Sequence, residues 1–192
     1  MFYIDPMYLV FAIPGLIVAG LASMYTHTMF MEYSRKRASS GMTGAEAAAR
    51  MLSRAGINDV RIERVDGFLS DHYDPLAKTL RLSPKVYDED SLSAIGVACH
   101  EAGHALQHAA GFFPMHIRSQ LVPMANIGSY LSYGAIILGF ILQAGHLVML
   151  GAILFSAVVL FSIVTLPVEW DASARAKKLM VSSGIVSEQE RD

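Results

Sequence analysis

Two long stretches without a charged side chain constrain this sequence more than any other feature. Before Glu32 the only charged residue is Asp5, and between Ser119 and Val168 there is no Asp, Glu, Lys or Arg. About 20 consecutive apolar residues suffice for a helix to cross a bilayer, where every backbone polar group must be satisfied internally. With 53% hydrophobic and only 17% charged residues, the chain is too apolar for an ordinary soluble domain. We therefore predict membrane spans at residues 7–30, 121–142 and 147–166.

The positions of the basic residues predict the orientation of these spans. Basic side chains follow the first span and flank both outer ends of the hairpin, whereas the hairpin turn at 143–146 has none. Because positive side chains are enriched on the cytoplasmic side, we predict an external N-terminus and place residues 35–118 and the tail in the cytoplasm. A cleavable signal peptide is excluded, since no basic residue precedes the apolar run and the run is too long. The basic residues are Arg35, Lys36, Arg37, Arg118, Arg175, Lys177 and Lys178.

The segment between the first span and the hairpin has the pattern of a small α+β domain. A capping box that begins at Thr43 predicts a helix ending at Gly56. A second helix is predicted from a cap at Asp90 or Ser91 to a stop at Gly111. Alternating and turn-bounded apolar residues predict strands at 60–65, 68–72 and 79–82, the last two forming a hairpin around Asp74 and Pro75.

The predicted organisation has four parts and is mostly helical overall. They are an N-terminal membrane helix at 1–34, a cytoplasmic α+β domain at 35–118, a membrane hairpin at 119–168 and a C-terminal part at 169–192. The last part contains another capping box, from Ser187 to Glu190. We therefore expect a further helix to begin where this sequence stops, and the natural chain to continue beyond it.

The second predicted helix contains an H-E-x-x-H motif at 100–104. Residues four apart lie on one face of a helix, so His100 and His104 can place two imidazoles on one zinc ion. Glu101 lies on the flank, where it can reach a water at the metal rather than the metal itself. A third histidine of the metzincin type is excluded because Ala110 occupies its position. The pattern predicts a hydrolytic zinc site.

Glu169 is a better candidate for the third zinc ligand than the histidines outside the motif. It follows Pro167 where the last span leaves the lipid, on the side predicted to hold the motif helix. An acid so close to an apolar span is costly unless it is paired or ligating. The alternative is an interfacial glutamate in a salt bridge to Arg175 or Lys177.

Other polar residues near the motif have two interpretations each. Asp171 fits a helical ion pair with Arg175, or it fixes the tautomer of a ligating histidine. His108 lies one turn beyond His104, too far along the axis to share the ion comfortably, and is expected to line the cleft or to pair near the site. His72 is expected to be exposed or hydrogen-bonded.

Beyond the motif, five blocks of sequence resemble the YugP-type putative neutral zinc metallopeptidases, which are membrane proteins of bacteria. The resemblance covers most of the chain from Thr43 onward and implies a gluzincin-like site, with His100 and His104 as ligands, Glu101 as base and Glu169 as third ligand. It also implies a further membrane helix after residue 192. The blocks are DHYDP at 71–75, LRLSP at 80–84, GVACHEAGHALQH at 96–108, ANIGS at 125–129 and PVEWD at 167–171.

This sequence departs from the wider HtpX-like group at one position near the third ligand. Relatives in that group tend to carry an aspartate four residues beyond the ligand glutamate. Ser173 occupies that position here, and the nearest aspartate is Asp171. The assignment of Asp171 as the residue that orients a histidine is therefore left open.

The predicted function is a membrane-anchored zinc endopeptidase of the bacterial plasma membrane, acting on protein or peptide substrates at the cytoplasmic face. It would hydrolyse peptide bonds with a zinc-activated water and Glu101 as general base. Tyr73, His72 and His108 are candidate donors to the oxyanion, and residues 71–75 could pair with an extended substrate as an edge strand. The alternatives are a site-2-type intramembrane protease and a non-catalytic scaffold stabilised by zinc.

Composition excludes some partners and leaves others open. The net charge of −2 gives no reason to expect nucleic acid as a partner. The single cysteine, Cys99, excludes an internal disulfide framework and suits a reducing compartment. The oligomeric state is not specified by any pattern in the sequence.

Overall fold

The structure is a computed structural model that describes residues 6–67 and 70–190. The start of the strand predicted at 68–72 therefore lies outside the described residues. The structure is mostly helical. The three strands of a small sheet follow the second helix and precede the third in the chain. In chain order the elements are α1 (Pro6–Tyr33), α2 (Gly44–Arg54), β1 (Arg61–Arg64), β2 (His72–Asp74), β3 (Thr79–Leu82), α3 (Pro84–Asp88), α4 (Leu92–Ala109), α5 (Phe113–Ile141) and α6 (Gly145–Ser182).

Three helices of the described chain have stretches long and apolar enough to cross a membrane, Ile13–Tyr33, Phe113–Ile141 and Gly145–Ser182, and each overlaps one of the predicted spans. Helices α5 and α6 form a closely packed hairpin. At Gly151 an added Cβ atom would lie only 2.9 Å from the carbonyl oxygen of Ser132. Helix α6 continues through Pro167 for more than a dozen residues beyond the apolar stretch. The predicted divisions at 118/119 and 168/169 thus fall inside α5 and α6, so both helices carry the chain directly from the apolar region to the α+β part.

The small sheet has the order β1-β3-β2, with β1 parallel and β2 antiparallel to β3. The predicted hairpin is present, but its first strand is His72–Asp74 rather than 68–72 and its turn lies at 75–78. The carboxylate of Asp74 closes this turn by accepting hydrogen bonds from the backbone N–H groups of Leu76 and Ala77. Strand β2 pairs on one side with β3 and is an edge strand of this sheet. Leu80 and Leu82 of β3 are fully buried and attach the sheet to the helical core.

Both predicted caps of the α+β part are present. The Thr43 hydroxyl accepts the Glu46 N–H at 3.2 Å, and the Glu46 carboxylate accepts the Thr43 N–H at 2.9 Å, which completes the capping box of α2. Ser91, rather than Asp90, caps α4 by accepting the N–H of Ala94. The predicted stop at Gly111 follows the end of α4 at a φ of +64°, a conformation that favours glycine.

The C-terminal segment packs back onto the α+β part. Ile185 is fully buried and Val186 nearly so. The Glu190 carboxylate accepts a hydrogen bond from the backbone N–H of Ser187 at 2.8 Å, as in a capping box. It also accepts hydrogen bonds from the backbone N–H and the hydroxyl of Ser39. Residues 188–190 form a turn, and any helix that continues from it lies outside the described residues.

Candidate metal centre

Helices α4 and α6 bring the two motif histidines and Glu169 together. The Oε2 atom of Glu169 lies 3.1 Å from Nε2 of His100 and 3.6 Å from Nε2 of His104. The two imidazole rings are 5.0 Å apart at their centroids and nearly perpendicular, and the Nε2 atoms of both face the same carboxylate oxygen. One donor atom from each of the three residues lies within 4.8 Å of the others.

This set of donor atoms fits zinc. Two imidazole nitrogens and one carboxylate oxygen are a common protein ligand set for catalytic zinc. In a tetrahedral site with bonds of about 2.0 Å, neighbouring ligand atoms stand about 3.3 Å apart. The distances of 3.1 and 3.6 Å from Glu169 to the two histidines are close to that separation.

Gly103 allows α6 to approach α4 closely enough for this arrangement. A Cβ atom at Gly103 would lie 2.6 Å from the carbonyl oxygen of Ala172 and 3.3 Å from its Cα. Such distances are well inside van der Waals contact, and the obstacle is backbone that cannot rotate away. Because Ala172 is one helical turn from Glu169, the contact at Gly103 determines how near the carboxylate comes to the histidines.

Replacing Gly103 with Ala is therefore expected to push α6 away from α4. We expect a loss of about 1–3 kcal/mol in the free energy of unfolding, the usual cost of overpacking, together with weaker zinc binding. Thermal unfolding and zinc titration of the purified protein measure both effects. Gly96→Ala is the matched control, because Gly96 lies on the same helix with nothing within 4 Å of an added Cβ. Equal behaviour of the two variants would contradict the role assigned to this contact.

The cation beside Glu169 is not one of those predicted. The alternative interpretation of Glu169 named Arg175 or Lys177 as its salt-bridge partner, but the cation present is Arg118 of α5, which lies 2.9 Å from Oε1 of Glu169. Arg175 instead forms the predicted helical ion pair with Asp171 at 2.6 Å. Since Arg118 occupies Oε1, the Oε2 atom of Glu169 is the one that faces the histidines.

The far side of each histidine ring contacts a different polar residue. Nδ1 of His100 lies 3.1 Å from the hydroxyl of Ser173. Nδ1 of His104 lies 2.9 Å from Oε1 of Gln107, and the amide nitrogen of Gln107 donates to Asp171 at 2.8 Å. Asp171 thus reaches a histidine only through Gln107. Sequence reasoning did not single out Gln107 or the pairing of Arg118, although Gln107 lies three residues after His104 and so near the same helix face.

Glu101 lies beside the three donors without belonging to the group that converges. Its position next to His100 turns its side chain about 100° around the axis of α4. Burial raises the pKa of the Glu101 carboxyl, and the neighbouring histidines act in the opposite direction. The arrangement leaves Glu101 on the flank of the centre, as the helical geometry of the motif predicts.

Of the three candidate oxyanion donors, the structure brings two together. The Tyr73 hydroxyl lies 2.9 Å from Nδ1 of His108, which joins β2 to α4. Burial raises the pKa of Tyr73 to about 12, so its hydroxyl keeps its proton at neutral pH. His72 precedes Tyr73 on the strand, is exposed and donates from Nδ1 to the carbonyl oxygen of Ser70. Because neighbouring strand residues point to opposite faces, His72 points away from the side on which Tyr73 meets α4.

Comparison with known proteins places this geometry in a wider context. Residues 8–192 match the family model described as "putative neutral zinc metallopeptidase". A relative from Bacillus subtilis (strain 168), named "putative membrane protease YugP", is 46% identical over 163 residues, which cover 85% of this chain and 72% of the relative. No solved structure matches the chain.

Proposed function

This chain belongs to the family of putative neutral zinc metallopeptidases, and from that premise we propose that it is a membrane-anchored zinc endopeptidase with a gluzincin-like site. His100, His104 and Glu169 would hold the zinc. The observation that carries the proposal is the convergence of these three side chains, two from the motif helix and one from a helix that continues into the apolar hairpin. An ion bound there would lie at the junction of the α+β part and the membrane helices.

The side chains around the centre would have different roles in peptide hydrolysis. Zinc, when bound, supplies a Lewis acid that activates water and polarises a carbonyl. Glu101 would accept the proton of the attacking water and then deliver it to the leaving amine. The Tyr73 hydroxyl and the His108 ring are joined by a 2.9 Å contact, which uses one of their two protons, so one of the two would remain on the β2 side as a donor to the developing oxyanion.

Strand β2 offers a surface for an extended substrate. It is an edge strand, and Tyr73 attaches it to α4 at His108, one helical turn beyond His104. Backbone N–H and C=O groups on a free strand edge can pair with a peptide. We propose that a segment of a protein or peptide substrate lies along β2, with its scissile bond near Glu101.

The membrane helices would anchor the site at the cytoplasmic face of a bacterial plasma membrane. Helix α4 is not among the candidate spans of the described chain, which supports a site outside the lipid and disfavours a site-2-type intramembrane protease. The basic side chains that flank the spans, such as Arg35 and Lys178, support the cytoplasmic side. A purely structural zinc site usually has four protein ligands, so three ligands with a glutamate beside them favour an enzyme over a scaffold.

Metal removal tests the proposed function. Purified protein is expected to contain one zinc per chain and to cleave an unstructured, fluorescently labelled polypeptide in detergent. Treatment with a zinc chelator should abolish the cleavage, and added zinc should restore it, whereas a non-chelating isomer of the chelator should have no effect. Cleavage that persists in the zinc-free protein would contradict a metallopeptidase mechanism.

A further inference from the structure

A glutamine buried between α4 and α6 is the most constrained polar side chain of the described chain that the proposed mechanism does not use. Gln107 is 0% exposed. Its amide nitrogen donates to the carbonyl oxygen of Val168 at 2.7 Å and to Oδ2 of Asp171 at 2.8 Å, and its amide oxygen lies 2.9 Å from Nδ1 of His104. We propose that Gln107 is a positioning residue that imposes one tautomer on His104 and thereby strengthens zinc binding. This inference rests on the proposed ligand role of His104.

The surroundings permit only one orientation of the Gln107 amide. A carbonyl oxygen and a carboxylate oxygen can only accept hydrogen bonds, so the group that faces both Val168 and Asp171 must be the NH₂. Rotation of the amide by 180° would turn its oxygen toward two acceptors and leave buried donors and acceptors unpaired, which is unfavourable in a buried site. The amide oxygen of Gln107 therefore faces His104.

This orientation determines which nitrogen of His104 carries the proton. The amide oxygen accepts only, so Nδ1 of His104 must be the donor in the 2.9 Å contact. In the neutral ring, Nε2 then has no proton and presents its lone pair toward Glu169, 3.6 Å away. That is the form of imidazole that binds a metal through Nε2. Gln107 thus holds His104 in the metal-binding tautomer before the ion binds.

His100 has no comparable partner. Its Nδ1 lies 3.1 Å from the Ser173 hydroxyl, which can rotate to donate or to accept. Ser173 therefore does not select a tautomer, although it occupies the position at which the wider group tends to carry an aspartate. We infer that the orienting function is carried on the His104 side, by Asp171 acting through Gln107.

A neutral amide suits this relay better than a carboxylate would. Asp171 already carries the charge and is itself held by Arg175 at 2.6 Å. A carboxylate at position 107 would lie about as close to Asp171 as the present amide nitrogen, and two like charges at that distance repel strongly in a buried site. Gln107 transmits the orientation of Asp171 to His104 without adding a second negative charge beside the ligands.

Zinc affinity of a variant without the amide tests the proposal. Gln107→Met has a similar size but lacks the amide oxygen that accepts the hydrogen bond from Nδ1 of His104. We expect a 10–100-fold loss of zinc affinity, the usual effect of removing an orienting partner of a ligand, measured by competition with a chromophoric chelator. Gln120→Met, at an exposed glutamine of α5, is the control and should stay within about 3-fold of the wild type. Wild-type affinity in folded Gln107→Met would overturn the proposal.

A pair of further variants decides the matter even if Gln107→Met does not fold. Gln107→Glu should lose affinity because its carboxylate faces Asp171. Adding Asp171→Asn removes the like charge that the new carboxylate faces, so affinity should rise above that of Gln107→Glu alone. Equal affinities for Gln107→Glu with and without Asp171→Asn would overturn the relay.

Failure of the relay can be distinguished from failure of the ligand assignment. His104→Ala should lose zinc binding whether or not Gln107 orients the ring. If His104→Ala binds zinc like the wild type, the proposed ligand set is wrong. If His104→Ala loses zinc and Gln107→Met does not, the ligand set stands and the relay alone is rejected.

Discussion

Replacing Glu101 with Gln is expected to lower the rate of peptide hydrolysis by about 10²–10⁴-fold, the usual contribution of a positioned general base. Gln has nearly the same shape as Glu but cannot accept the proton of the attacking water. Zinc content should stay at the wild-type level, because Glu101 lies outside the group of three donors. The measurements are cleavage of a labelled unstructured polypeptide and zinc per chain by elemental analysis.

A glutamate remote from the centre provides the control for this prediction. Glu89 follows α3, and its backbone, rather than its carboxylate, makes the hydrogen bonds seen there. Glu89→Gln should retain both activity and metal. If Glu101→Gln keeps full activity with its zinc in place, Glu101 is not the base and the proposed mechanism is wrong.

Replacing Glu169 with Ala is expected to have the largest effect on metal binding. The change removes the only carboxylate of the converging group and leaves Arg118 facing two histidines without its counter-charge. Since residues that merely orient zinc ligands are worth about 10–100-fold in affinity, loss of a ligand should exceed about 100-fold. Zinc titration with a competing chelator measures the change, and activity should fall with it.

Glu169→Gln and Arg118→Gln separate the ligand role of Glu169 from its ion pair with Arg118. Glu169→Gln keeps the size of the side chain but removes the charge that zinc requires, so it should resemble Glu169→Ala. Arg118→Gln removes the ion pair but leaves the carboxylate in place, and its loss of affinity should be much smaller. Normal zinc binding by Glu169→Ala would show that the third ligand lies elsewhere.

Features that depend on neighbouring residues could be predicted from the sequence. The capping box at Thr43, the cap at Ser91 and the stop at Gly111 each involve contacts within a few residues, and the structure contains all three. The three membrane spans could be predicted equally well. A long run without charge has few ways to satisfy its backbone hydrogen bonds other than as a membrane helix.

Contacts between distant elements could not be predicted in the same way. Arg118 and Glu169 meet only because α5 and α6 fold back on each other, and the sequence offered Arg175 and Lys177 as nearer partners. The same holds for Tyr73 and His108, which lie 35 positions apart. In the sequence, Gln107 does not differ from other polar residues near the end of a helix. Its contacts depend on α6, which buries it against Val168 and Asp171.

The sequence by itself determined the two histidines, the flanking Glu101 and the side of the helix they share, because a spacing of four residues has only one meaning on an α-helix. Tertiary structure decided how Glu169 meets them, which cation it pairs with and which residues hold the far side of each ring. The physical reason is the approach of α6 to α4 at Gly103, where the absence of a Cβ lets two helices nearly seventy residues apart come into backbone contact. No local pattern encodes that distance, and the convergence of His100, His104 and Glu169 depends on it.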